Sequence, residues 1–130
     1  MIEQSEKTLK QVAEKMIKAG TTFDIEQLNL IYHKNLKIFL VDTNGQSNIL
    51  DKNSIITMLQ SKRDNGDAHL NNWVEFSNID VNGDLGHIIV IRKVNLTGID
   101  QKFVFSLELV WEDNRWQVTR EVGVMQPENQ

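Results

Sequence analysis

The stretch from Phe103 to Val118 constrains the fold more than any other part of this sequence. Phe103, Phe105, Leu107, Leu109 and Trp111 alternate with Val104, Ser106, Glu108 and Val110, which is the two-residue period of a strand with one face against a core. Asp113-Asn114 then reads as a tight turn, and Trp116 and Val118 resume the apolar alternation. A two-residue turn pairs Trp111 with Trp116 and keeps both apolar sets on one side of a sheet. So broad an apolar face has to be covered by helices.

The rest of the chain supplies the cover. From Ser5 to Ala19 the apolar residues Leu9, Val12, Ala13, Met16 and Ile17 recur at three- and four-residue steps, and Gly20 reads as a helix stop. Thr21-Thr22-Phe23-Asp24 offers caps for a second helix with Ile25, Leu28, Ile31 and Tyr32 on one side. Leu36 to Val41 reads as a short strand closed by Asp42-Thr43-Asn44-Gly45. Asp51 or Asn53 caps a third helix, Ser54 to Lys62, which buries Ile55, Ile56, Met58 and Leu59 and stops at Asn65-Gly66. From Asn72 to Met125 the pattern predicts a four-stranded antiparallel meander with turns at Asn82-Gly83, Thr97-Gly98 and Asp113-Asn114. Gln126 to Gln130 reads as a frayed polar end. The expected fold class is therefore α+β, three helices from the N-terminal half packed on one face of a curved antiparallel sheet, in a single domain spanning 1–130.

Composition narrows the function classes. The net charge is −4 and the lysines are scattered, so there is no basic footprint for nucleic acid. With 130 residues and 40% hydrophobic content the chain can bury a core unaided, and without cysteine it has no disulfide, thiolate metal site or thiol nucleophile. The charged start, Met1 to Lys7, does not resemble a signal peptide, and no apolar run has the length of a membrane span, so a cytoplasmic location away from membranes is expected. His33, His69 and His87 lack metal-ligand spacing, and Asp80-Val81-Asn82-Gly83-Asp84 lacks that of a calcium loop, so neither a metal nor a cofactor is expected.

The element order, together with Leu107-Glu108-Leu109-Val110-Trp111-Glu112-Asp113-Asn114-Arg115-Trp116-Gln117-Val118, resembles the nuclear transport factor 2-like superfamily of SnoaL-like and ketosteroid isomerase-like cones over nearly the full length. Ile88-Ile89-Val90-Ile91-Arg92 with Arg115-Trp116-Gln117-Val118 also looks like the association domain of calcium/calmodulin-dependent protein kinase II. In that family the sheet carries arginines into a pocket. Arg92 stands at one such position, Leu109 at a second, and Arg120 where the family has a histidine.

Strand parity puts Arg92 with Ile88, Val90, Val94 and Leu96, and Arg120 with Trp116, Val118, Val122 and Val124. A turn at Gly98-Ile99 sets Arg92 across from Phe105, and the Asp113-Asn114 turn sets Arg120 across from Leu107. Both arginines then lie on the concave face, with Cα atoms about 12 Å apart from strand spacing and rise. Buried guanidinium groups need an anion or a wet cavity, which points to a pocket for a carboxylate-bearing ligand with Arg92 and Arg120 at its base and Tyr32 and Trp73 near its mouth. The alternative is that Glu75, Glu108 or Asp80 pairs with them, or that either arginine lies near a strand end and reaches solvent. The opposite face, with Ile89, Ile91, Val104 and Val110 beside Glu108, Thr119 and Glu121, is half apolar and predicts a second subunit as cover, a homodimer or higher homo-oligomer.

The leading expectation is thus a small-ligand pocket, non-enzymatic or of unassigned activity, in a homo-oligomeric cone. An oligomerisation module like the kinase association domain is a second expectation. The third, implied by likeness to ketosteroid isomerase, is an isomerase or dehydratase using Asp42 as base with Tyr32, although Asp42 opens a sequence in which aspartate commonly closes a turn on its own backbone.

Overall fold

The computed structural model describes residues 4–95 and 99–127. Three helices and six strands follow one another as α1 (Glu6–Thr22), α2 (Ile25–Ile31), β1 (Tyr32–Val41), β2 (Ser47–Asp51), α3 (Lys52–Asp64), β3 (Val74–Asn82), β4 (Leu85–Asn95), β5 (Asp100–Glu112) and β6 (Arg115–Met125). The strands form one sheet in the order β2-β1-β6-β5-β4-β3. All neighbours are antiparallel except β1 and β6, so the sheet is mixed rather than the purely antiparallel one expected. The helices lie over its concave side and enclose the core, which includes Leu9, Leu28, Leu36, Ile88, Leu107 and Trp116.

Helix α1 is fixed at its start by a capping box, Ser5 and Thr8 bonding each other's backbone N–H. It does not stop at Gly20. It runs on to Thr22 and turns at Phe23, which takes the left-handed conformation with φ 60° while its side chain is buried. Burial of a large ring outweighs the conformational cost that would otherwise favour glycine there. Asp24 and Asp51 cap α2 and α3, each accepting from the backbone N–H three residues on, Gln27 and Ser54.

Three further boundaries differ from expectation. Tyr32 is the first residue of β1 rather than the last turn of α2. The Asp42 turn leads into an additional edge strand, β2, whose mostly exposed Ser47–Asp51 carries little apolar alternation. On α3 only Leu59 is buried, and Ile55, Ile56 and Met58 are half-buried.

The meander follows the predicted order. Its register is set by Asn95 opposite Asp100, which places Arg92 across from Phe103 instead of Phe105, a shift of two residues that preserves the face. The expected Thr97-Gly98 turn, Leu96 and the last three residues of the expected frayed end lie outside the described residues. Asp113 and Asn114 both have positive φ, the conformation of the tight hairpin turn expected.

The β5–β6 ladder contains one irregularity with functional weight. Leu109 pairs with Val118 and Glu108 with Arg120, so Thr119 has no partner residue across the ladder, and its hydroxyl donates to the Glu108 carbonyl (3.2 Å). A bulge of this kind reverses the parity of all that follows. Glu121, Gly123 and Met125, not Arg120, Val122 and Val124, therefore continue the concave face of Trp116 and Val118.

Candidate functional site

A cavity of about 340 Å³ lies between α3 and the concave sheet. Ile38 and Leu40 of β1, Met58 and Leu59 of α3, Val94 of β4 and Phe105 of β5 form apolar walls. This explains the incomplete burial of the α3 face, whose apolar side chains border open space as well as protein. Gly20 reaches the same space, where an added Cβ would meet nothing within 4 Å.

The polar end is made by Tyr32, Arg92 and Glu121, from β1, β4 and β6. Arg92 runs over the ring of Phe105, its guanidinium carbon 5.8 Å from the centroid. Phe105 can lie there because the residue opposite it is Gly123, where any Cβ would collide with the ring. The Nε of Arg92 and the Oε2 of Glu121 are buried without a hydrogen-bond partner among the described residues. Two orphaned polar atoms of opposite type thus belong to side chains that line one end of an otherwise apolar cavity.

Burial sets the ionisation of all three groups. It pushes the Glu121 carboxyl up to about 7, with Arg92 opposing. It holds the Tyr32 phenol well above its ordinary range, reinforced by Glu121, with Arg92 opposing, so the hydroxyl stays protonated. Arg92 is pulled below its ordinary value by burial, against the influence of Glu121 and Tyr32.

Of the residues expected to share a pocket, the structure brings together Tyr32 and Arg92. Arg120 is on the opposite face, exposed, with its Nε 3.5 Å from Glu108 and its guanidinium over the Phe39 ring at 5.0 Å. The expectation that Arg120 faces the cavity is corrected because the Thr119 bulge reverses strand parity before Arg120. Glu108 is among the partners that the alternative reading named. Trp73 is partly exposed and carries Lys93 over its ring at 5.2 Å, outside the cavity lining, and Tyr32 lies at the cavity's polar end rather than its mouth.

Asp42 closes its turn, its Oδ1 accepting from the backbone of Asn44 (2.9 Å) and Gln46 (3.0 Å), and it does not line the cavity. The proposed base is thereby corrected to a turn residue. His33 is buried. Its Nδ1 accepts from the Asn35 N–H at 3.0 Å, which leaves Nε2 to donate to Glu112 at 2.6 Å. Glu121 is the residue that sequence reasoning assigned to the wrong face. The signal for it was Thr119-Arg120-Glu121, where a carboxylate follows a residue able to sit in a bulge.

A curved sheet covered by helices on its concave side, with an internal cavity that is apolar along its walls and charged at one end, defines a class of small α+β cone domains. Residues 4–122 match the family described as "Putative lumazine-binding". The chain belongs to that family, and its fold is that of NTF2-like proteins. Its structure is similar to that of an NTF2-like protein from Cytophaga hutchinsonii, with a TM-score of 0.75 and 18% identity over 95% of this chain and 100% of the other. It is also similar to an NTF2-like protein of unknown function from Silicibacter pomeroyi, with a TM-score of 0.73 and 18% identity over 92% and 93% of the two chains. A third, from Shewanella baltica, also of unknown function, has a TM-score of 0.71 and 16% identity, over 93% of each. No curated protein matches the chain in sequence. Likeness at such identity shows the fold alone. No helix among the described residues is long and apolar enough to cross a membrane.

Proposed function

We propose that this protein binds a small, mostly apolar molecule in the cavity, with the molecule's polar edge against Arg92 and Glu121. The observation that carries the reading is the pair of buried, unpartnered atoms, Arg92 Nε and Glu121 Oε2, at one end of a 340 Å³ space. A carboxylate clasped by two arginines, the expectation from sequence, loses one arm with Arg120 on the other face. What remains is a donor beside an acceptor. That arrangement suits a neutral group presenting a carbonyl and an N–H side by side, as ring amides and imides do, because each buried polar atom then gains a partner. Lumazine, the molecule in the family's description, is a pteridinedione with such an edge on a flat fused ring that the apolar walls can sandwich.

The test is a thermal shift and calorimetric titration with lumazine near neutral pH. Stabilisation of the native chain is expected, because a ligand that binds only the folded state must raise its melting temperature. The shift should be lost in Arg92→Met. No shift and no heat with the native chain would overturn the reading.

A second observation favours self-association. Across the outer face of the sheet, Ile91, Val104, Val124 and Val41 stand opposite one another in one row over four strands, and Ile89, Ser106, Val122, Phe39 and Ile49 in the next. Val124 is 41% and Ile49 54% exposed. We infer that a second copy covers this apolar band. Light scattering at micromolar concentration should give a dimer mass, and Val104→Lys should halve it. A monomer from the native chain sinks the idea.

A further inference from the structure

We propose that the cavity is a proton-linked site with two ligand classes: with Glu121 ionised it takes a neutral amide-type edge, and with Glu121 protonated it takes a carboxylate on Arg92, so that an anion enters together with one proton. The inference rests on reading the cavity as a ligand site.

The geometry carries it in three steps. First, Arg92 and Glu121 reach the cavity from different strands, β4 and β6, and each keeps a buried atom with no partner among the described residues. Both side chains line the cavity, so a molecule in it lies next to two polar groups whose hydrogen bonds the protein itself does not complete. Second, the ionisable groups that face this space are Tyr32 on β1, Arg92 on β4, Glu121 on β6 and Lys62 on α3, while α1, β2 and β5 contribute only Gly20, Asn48, Leu50 and Phe105 to its lining. The guanidinium stays charged and the buried phenol stays neutral, so Glu121 decides the net charge of the polar end. Third, a carboxylate placed on Arg92 beside an ionised Glu121 would set two like charges together in a space shielded from water, which is strongly unfavourable. Protonation of Glu121 removes that repulsion and converts Oε2 from acceptor to a site that can carry the donating proton. The ligand carboxylate then accepts from both Arg92 and Glu121. Burial brings Glu121 up to about 7, which makes both states accessible near neutrality.

The experiment is calorimetry on the full chain with octanoate, a carboxylate whose apolar tail suits the walls, in two buffers of different ionisation heat between pH 6 and pH 8.5. The difference between the buffers counts the protons exchanged. Uptake approaching one proton per octanoate is expected at the alkaline end, falling toward zero at pH 6, with affinity weakening by about tenfold per pH unit once Glu121 is ionised in the free protein. Glu121→Gln, a neutral mimic of the protonated carboxyl, should bind octanoate with no proton uptake and no dependence on pH, and Arg92→Met should not bind it. Octanoate binding without proton uptake, or uptake that survives in Glu121→Gln, overturns the inference. Lumazine binding without octanoate binding also overturns it and leaves the ligand pocket standing. Failure of both ligands removes the two together.

Discussion

Arg92 and Glu121 lie on strands separated by β5, yet each alters the ionisation of the other, Arg92 lowering the carboxyl that burial raises and Glu121 raising the guanidinium that burial lowers. In both groups burial is the larger influence. The pair is therefore poorly satisfied by the protein's own groups, and the proposed ligand would supply the missing hydrogen bonds.

Stability should fall with rising pH because of Glu121. Its carboxyl titrates near the ordinary 4.5 when unfolded and at about 7 when folded. Below the unfolded value both states are protonated and nothing is lost. Between the two values the folded chain holds a proton that the unfolded chain has released, so each step up in pH favours unfolding until the folded carboxyl also ionises. The loss is of the order of 3 kcal/mol from one end of that window to the other. Urea midpoints at pH 5, 6, 7 and 8 should decline and then level off. In Glu121→Gln this part of the decline should disappear. An unchanged decline in the variant would assign the effect to other groups.

The bulge at Thr119 should be removable. Deleting Thr119 leaves Leu109 opposite Val118 and Glu108 opposite Arg120, so Glu121 stays on the concave face. The cost should be about 1 to 3 kcal/mol, from lost local twist and the lost bond to the Glu108 carbonyl. Deleting Val122 instead moves residues 123–125 to the opposite face and should cost clearly more. Thermal unfolding of the two deletions side by side checks the order. If Thr119 proves the more damaging deletion, the bulge has a structural duty beyond setting parity.

These expectations mark where the sequence was readable. The alternation of Phe103 to Trp111 and the positive-φ turn at Asp113-Asn114 are local signals, and both the face and the turn follow from them. Arg92 could be placed because β4 is regular from Leu85 to Asn95 along its ladder with β5. Glu121 could not, because a bulge depends on how two distant segments pair and leaves no period of its own. Strand β2 has no legible period for a related reason: it is an edge strand with few buried residues, held chiefly by its ladder with β1. Tyr32 reads as helical in sequence because its ring continues the α2 stripe, while the actual break comes from the chain entering the sheet beside Val118. The cavity itself is a space left between elements, and the one sequence hint of it is an α3 face more apolar than its burial requires.

Gly123 should resist substitution because of its neighbour, not its backbone. Phe105 lies over the spot where a Cβ would stand, and Arg92 lies over Phe105. Gly123→Ala must push the ring aside, at a cost of about 1 to 3 kcal/mol, the range for overfilling a packed site. The displaced ring would carry Arg92 with it, so affinity for any ligand held by Arg92 should fall as well. Phe105→Leu leaves a narrower side chain and should itself destabilise by a comparable amount. In the double variant the alanine methyl fills part of the space the ring gives up. The two costs should then sum to clearly more than the double variant loses, a coupling that denaturant unfolding of the four proteins measures directly. Strict additivity would mean that Gly123 and Phe105 do not share this space, and the support of Arg92 through the ring would have to be abandoned.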